Sequence, residues 1–139
     1  MNPSLVELRV VAGVIRHGET IFAAKRKDGG PAGLKWEFPG GKVEAGETGP
    51  EALRRELREE LFLEVSVGSH IETFSTPAGK YLIHLECYWC VASSRDVKCT
   101  SHVDFGWFTS AQLGQLEWAA PDLPAVAMVT KQLEEKKIF

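Results

Sequence analysis

Glu56, Glu59 and Glu60 are the residues whose types and spacing could do chemistry. On an α-helix, at about 100° per residue, they project from one side of the cylinder within a turn of each other. Such a cluster suits a hard divalent cation, which takes oxygen ligands and turns mutual repulsion into shared attraction. The segment carries its own helix signals. Thr48 is an N-cap residue, Glu51 stands three positions on as in a capping box, and Pro50 lies in the first turn, where a missing N–H costs nothing. Ala52, Leu53, Leu57 and Leu61 recur at helical spacing and predict the buried face. The acids break a local rule, since carboxylates in a last turn oppose the macrodipole and repel at i,i+3 and i,i+4. Arg55 offsets part of this by pairing with Glu59, and Arg58 can contribute. A conflict without structural gain points to function, although a solvated, charge-laced helix is the bland alternative.

Ahead of the helix, Pro39-Gly40-Gly41 and Gly46 predict a tight loop whose backbone can approach a ligand closely. A glycine loop feeding a helix N-terminus often cradles phosphate. Here the acids lie on the helix body, so a metal is expected to mediate the phosphate contact.

The spacing Gly41, five residues, Glu47, seven residues, Arg55-Glu56, Leu57, one residue, Glu59-Glu60 resembles the signature of the Nudix hydrolase family. The resemblance covers nearly the whole chain. It implies a single domain over residues 1–139 and an α/β/α sandwich around a mixed sheet. It also implies magnesium or manganese held by Glu56, Glu59, Glu60 and the carbonyl of Gly40, with water attacking a diphosphate-linked substrate. Glu56 would both hold metal and help take the proton, Arg55 would orient the carboxylates, and Gly41 and Glu47 would support them from behind. Two positions depart from the family pattern. Phe62 stands where the family has a glycine, which puts the helix end in question and leaves the acids untouched. Many relatives carry a further glutamate where Ser101 stands, just ahead of His102; Asp104 could substitute. His102 itself is expected as a surface loop histidine.

Within the family, AGLKWEFPGGKVE and AAPDLPAV resemble the MutT-like nucleoside triphosphate pyrophosphohydrolases, nearest the CTP and oxidised-purine nucleotide group. That likeness implies Arg26 for phosphate and Asp122 for the base, whose exocyclic amine a carboxylate can accept. An N-cap role on the last helix suits Asp122 equally. Trp118, with Phe38 or Trp36, could give a stacking wall. The expected activity is magnesium-dependent cleavage of a nucleoside triphosphate to monophosphate and pyrophosphate, in nucleotide-pool sanitation or salvage. Two alternatives stay open: a nucleotide sugar, dinucleotide or RNA cap as substrate, and a non-catalytic nucleotide sensor.

These residues need positioning elements. Leu5 to Ile15 and Ile21 to Arg26 predict a hairpin about His17-Gly18-Glu19. A glycine-rich loop over 27–35 and a short strand at Trp36 to Phe38 follow. Leu63 to Thr76, a turn at 77–80, and Tyr81 to Ala92 predict a second antiparallel pair. Ser93 to Val103 reads as loop, Asp104 to Phe108 as a strand, Ser110 as the cap of a short helix, and Pro121 to Lys137 as a loop and final helix. Cys87 and Cys90 sit three apart on a strand and so on opposite faces, which argues against a shared zinc. The chain is 44% apolar and 25% charged with net charge −3. That balance argues against a nucleic-acid polymer as partner. No run of apolar residues is long enough for a membrane span, and the N-terminus lacks a signal-peptide pattern. A cytoplasmic protein with a small nucleotide substrate, monomeric or homodimeric, is expected.

Overall fold

The computed structural model describes residues 4–136. Strand β1 (Val6–His17) is its spine. It turns at Gly18, whose φ of 61° suits glycine, into β2 (Thr20–Arg26). Along its other edge β1 runs parallel to β6 (Tyr81–Ala92), which pairs antiparallel with β5 (Val65–Ala78). Two short strands, β3 (Trp36–Glu37) and β4 (Gly40–Lys42), pair with β2 and β1, and β7 (His102–Phe108) pairs with β2. The result is one mixed sheet of seven strands.

Alternation along β1 divides the core into two layers. Val11 and Ile15 face the helix α1 (Gly49–Leu61), which buries Ala52, Leu53, Leu57 and Leu61 together with Phe22 and Cys90. Ala12 and Val14 face the opposite way, where α3 (Leu123–Lys136) lays down Ala125, Val126 and Val129 beside Leu85 and Cys87. Each fully buried leucine of α1 contributes about 1.5–3 kcal/mol. The sandwich is the one the residues imply, with Cys87 and Cys90 in different layers. The end of the last helix expected at Lys137 lies outside the described residues.

The differences have local causes. β5 continues through Pro77 and Ala78, leaving only Gly79 and Lys80 for the turn; β5 ends the strand order, and a proline is tolerated on such an edge. β7 begins at His102, ahead of Asp104, because β2 keeps pairing to Arg26 across an irregularity in register. The short helix α2 (Ser110–Leu113) is capped by Thr109, in a capping box with Gln112, and Ser110 is its buried first residue.

Helix α1 starts as expected, Thr48 Oγ1 accepting from Glu51 N at 3.2 Å and Glu51 Oε1 accepting from Thr48 N at 2.9 Å. It stops on Phe62, held in the left-handed region at φ 53°, ψ 37°, its N–H donating to Arg58 O. The side chain gains little there, being 65% exposed. A non-glycine residue in this conformation costs about 1–2 kcal/mol, so Phe62→Gly is expected to raise the unfolding free energy by about 1 kcal/mol. Urea denaturation measures this, and a loss of stability would show that the ring contributes more than the strain costs.

Candidate active site

β4 brings the glycine loop against α1. Gly40 and Gly41 pair with Ala12 and Val11 of β1. A Cβ on Gly40 would run into the Val11 carbonyl oxygen, and one on Gly41 would run into the Glu56 carboxyl group. Glycine here permits a close approach of backbone to acid. Arg55 locks the two elements together. Its Nε and Nη2 donate to Glu47 at 2.8 and 2.9 Å, and Nη2 also to Lys42 O at 3.1 Å. Its Nη1 donates to Glu56 at 3.0 Å and Glu59 at 3.3 Å. The hydrogen bonds from Arg55 hold the Glu47 carboxyl down at about 2. Arg58 turns away to Glu64 at 2.7 Å and gives the acids no help.

The three helix acids do not converge equally. Glu56 is largely buried, with a side chain 15% exposed, whereas Glu59 is 61% exposed and leans onto Arg55. Glu60 is half-buried, and burial followed by repulsion from Glu56 pushes its carboxyl up to about 7. Among the described residues no three His, Cys, Asp or Glu side chains are gathered closely enough to hold an ion as they stand. The expected trio is thus a facing pair, Glu56 and Glu60, with Glu59 outside it; i,i+4 residues stack on a helix face while Glu59 follows its arginine. The donor chemistry still fits a hard divalent ion. Glu56 and Glu60 are carboxylates whose repulsion a cation would relieve, and the Gly40 backbone lies at the same place.

A cavity of about 330 Å³ opens beside this pair. Val10, Ala12, Ile83 and Leu85 line it, together with Phe38, Pro121 and Asp122. Asp122 is 6% exposed, and its Oδ1 accepts from Phe38 N at 3.1 Å. Burial pushes its carboxyl up to about 7. The 3-10 turn Ala120–Asp122 is placed by backbone bonds of Trp36 to Glu117 O and of Ala119 to Trp36 O, so β3 sets where Asp122 lies.

Glu37 of β3 lines the same cavity. Its carboxylate bridges Arg26 Nη1 at 3.0 Å and His102 Nε2 at 2.8 Å. Burial would raise this carboxyl, but the hydrogen bonds from His102 and Arg26 outweigh it and hold the group below the usual range. His102 Nδ1 lies 3.2 Å from Ser101 Oγ and 3.3 Å from Cys99 Sγ.

The model of the NUDIX domain family matches residues 7–128. The chain belongs to that family. It is 34% identical over 118 residues, covering 84% of this chain and 87% of the relative, to an Escherichia coli protein named CTP pyrophosphohydrolase. It is 36% identical over 132 residues, 89% of each chain, to a Mycobacterium tuberculosis protein provisionally named 8-oxo-dGTP diphosphatase 2. The structure of a MutT protein of methicillin-resistant Staphylococcus aureus, titled as a Nudix hydrolase, superposes with a TM-score of 0.76 at 33% identity, covering 92% of this chain and 98% of that one. The chain is therefore a Nudix hydrolase, an enzyme class acting on phosphoric anhydrides and generally needing a divalent metal. No helix among its described residues is long and apolar enough to cross a membrane.

Around this Nudix site, Gly40, Gly41, Arg26, Glu60 and Asp122 line one cavity, and Glu56, Glu59, Glu47 and Arg55 form the network behind it. Trp118 is placed differently. It is 6% exposed, its Nε1 donates to Leu113 O at 2.8 Å, and its ring packs behind Phe38 at 4.7 Å. It is core, as is Trp36, and Phe38 is the aromatic that reaches the cavity. His102 is not a surface loop residue but has a side chain 6% exposed in a strand. Asp104 accepts from Phe105 N at 2.8 Å, spending its carboxylate on its own strand. Glu37 was not anticipated. The available signal was a lone acid between Trp36 and Phe38 in an otherwise apolar run.

Proposed function

We propose that this protein hydrolyses a (deoxy)nucleoside triphosphate to the monophosphate and pyrophosphate with Mg2+ or Mn2+, in nucleotide-pool sanitation or salvage. The observation that carries the reading is one cavity lined by a buried hydrogen-bonding acid, Asp122, by apolar side chains and by Glu60 of α1. The names of the two curated relatives, one for CTP and one for 8-oxo-dGTP, support a base that presents an exocyclic amine to Asp122. The same reading takes residues 1–139 as one cytoplasmic domain, monomeric or homodimeric, acting on a free nucleotide rather than a nucleic-acid polymer or a membrane.

Glu56, Glu60 and the Gly40 carbonyl, with Glu59 swinging in, would hold the cation. When bound it neutralises phosphate charge and makes water a better nucleophile. Arg55 keeps Glu56 oriented, and Glu56 accepts a proton from the attacking water. A new P–O bond forms from that water as the bond to pyrophosphate breaks, its electron pair leaving with pyrophosphate. Arg26 grips the phosphates and Asp122 holds the base.

Incubation with CTP, dCTP and 8-oxo-dGTP and magnesium tests this. A monophosphate and pyrophosphate are expected from at least one. Cleavage of a nucleotide sugar or dinucleotide to two monophosphates instead would reassign the substrate, and tight binding without turnover would make the protein a sensor. The raised Glu60 carboxyl sets a pH dependence. Below about 7 the cation must displace a proton from Glu60, so its apparent affinity is expected to fall up to about tenfold per pH unit on acidification and to level off above 7. Calorimetric titration of Mn2+ at several pH values reads this; a flat profile would remove Glu60 from the ligand set.

A further inference from the structure

Strand period keeps Cys87 and Cys90 apart, but it does not separate Cys99 from His102. Cys99 lies in the loop ahead of β7 and His102 opens that strand, so alternation does not set their facing. Cys99 Sγ and His102 Nδ1 come within 3.3 Å of each other. Zinc bonded at about 2.3 Å to sulfur and about 2.0 Å to nitrogen, in tetrahedral geometry, sets two such ligands about 3.5 Å apart. The histidine is prepared for that role. Its side chain is 6% exposed, and its Nε2 lies 2.8 Å from Glu37 Oε2. Glu37 also accepts from Arg26, so it is an ionised acceptor, and the proton of the neutral ring sits on Nε2. Nδ1 is left with one in-plane lone pair and two groups competing for it, the Cys99 thiol and the Ser101 hydroxyl at 3.2 Å. Histidines that bind zinc are held in this way, with the far nitrogen donating to a carboxylate. Burial holds the Cys99 thiol above its usual range, helped by the charges of Glu60 and Glu37, while the nearby backbone N–H groups of Ser101 and His102 pull the other way. The carboxylates that oppose a bare thiolate favour a cation beside it. We propose that Cys99 and His102 are two ligands of a zinc site, separate from the α1 carboxylates, with the Ser101 hydroxyl and water completing the tetrahedron. Ser101 and His102 line a second cavity, of about 320 Å³, through which the ion can enter. On binding, the Cys99 thiol gives its proton to solvent and the thiolate takes the metal. His102 is then fixed from both sides, by Glu37 on Nε2 and by the ion on Nδ1.

Two readouts on the full chain test this. The first is the rate at which a thiol reagent labels the native protein. Cys87 and Cys90 are fully enclosed, so that rate reports Cys99 alone. Zn2+ in about tenfold excess over its dissociation constant is expected to slow labelling about tenfold, and saturating Mg2+ to leave it unchanged. The second is the near-ultraviolet charge-transfer band that a Co2+–thiolate bond produces. The band is expected in the wild type and in Glu56→Gln, and its loss in Cys99→Ser. His102→Gln keeps a donor for Glu37 but removes the Nδ1 lone pair, and is expected to weaken Co2+ at least about tenfold. A labelling rate indifferent to Zn2+, or a band that survives Cys99→Ser, overturns the site. So does protection that Mg2+ reproduces, since the ion would then belong to the α1 carboxylates. Both readouts use the metal alone, so they stand whether or not the protein cleaves a triphosphate.

Discussion

Glu56→Gln is expected to lower kcat by about 10²–10⁴-fold, the usual worth of a positioned general base, with the fold intact. The side chain is only 15% exposed, lies against Gly41, and takes one hydrogen bond from Arg55. Glutamine keeps the shape and that hydrogen bond but cannot accept the proton of the attacking water, and it is a poorer partner for a cation. Arg55 would stay anchored by Glu47 and Lys42 O, so the loop and helix remain joined. Pyrophosphate release under steady-state conditions, together with an unchanged thermal midpoint, checks both halves. Retention of a tenth or more of the activity would move proton transfer to another group.

The second large effect is on stability. Asp122 is buried, and its carboxyl rises from 3.8 to about 7 in the folded protein. Between those values the folded state binds the proton that the unfolded state has lost, so stability falls as pH rises. Its contribution is fully present below about 4 and lost as pH climbs through 7. Asp122→Asn retains a carbonyl oxygen for the Phe38 N–H and carries no charge. The variant is expected to exceed the wild type at pH 8 by as much as about 4 kcal/mol, with the difference closing toward pH 4. Urea unfolding across that range measures it. A constant difference at all pH values would mean that Asp122 is charged in the folded state.

What could be read in the residues was what is local. The start of α1 needs only Thr48, Pro50 and Glu51, and its buried face needs only the spacing of its leucines; both are as expected. The strands around the sheet were legible from alternation, and the opposite facing of Cys87 and Cys90 followed from strand period. Features set by contacts distant in sequence were not legible. His102 is buried because β2 keeps pairing past its irregularity, and its partner Glu37 comes from a strand two residues long. Asp122 divided evenly between a helix cap and a ligand group, since the residue it binds, Phe38, is 84 positions away. Trp118 was misplaced for a similar reason: the segment 117–119 folds back along Trp36, which turns its indole inward. The outward lean of Glu59 was also hidden, because helical spacing places Cβ atoms and leaves the choice of partner to Arg55.

The thiols of Cys87 and Cys90 lie in different layers, both fully enclosed and both pushed by burial up to about 12. Neither can be alkylated at neutral pH until its own layer parts from the sheet. Their rates of labelling would therefore time the departure of α3 and of α1 separately, in a chain that needs no engineered probe.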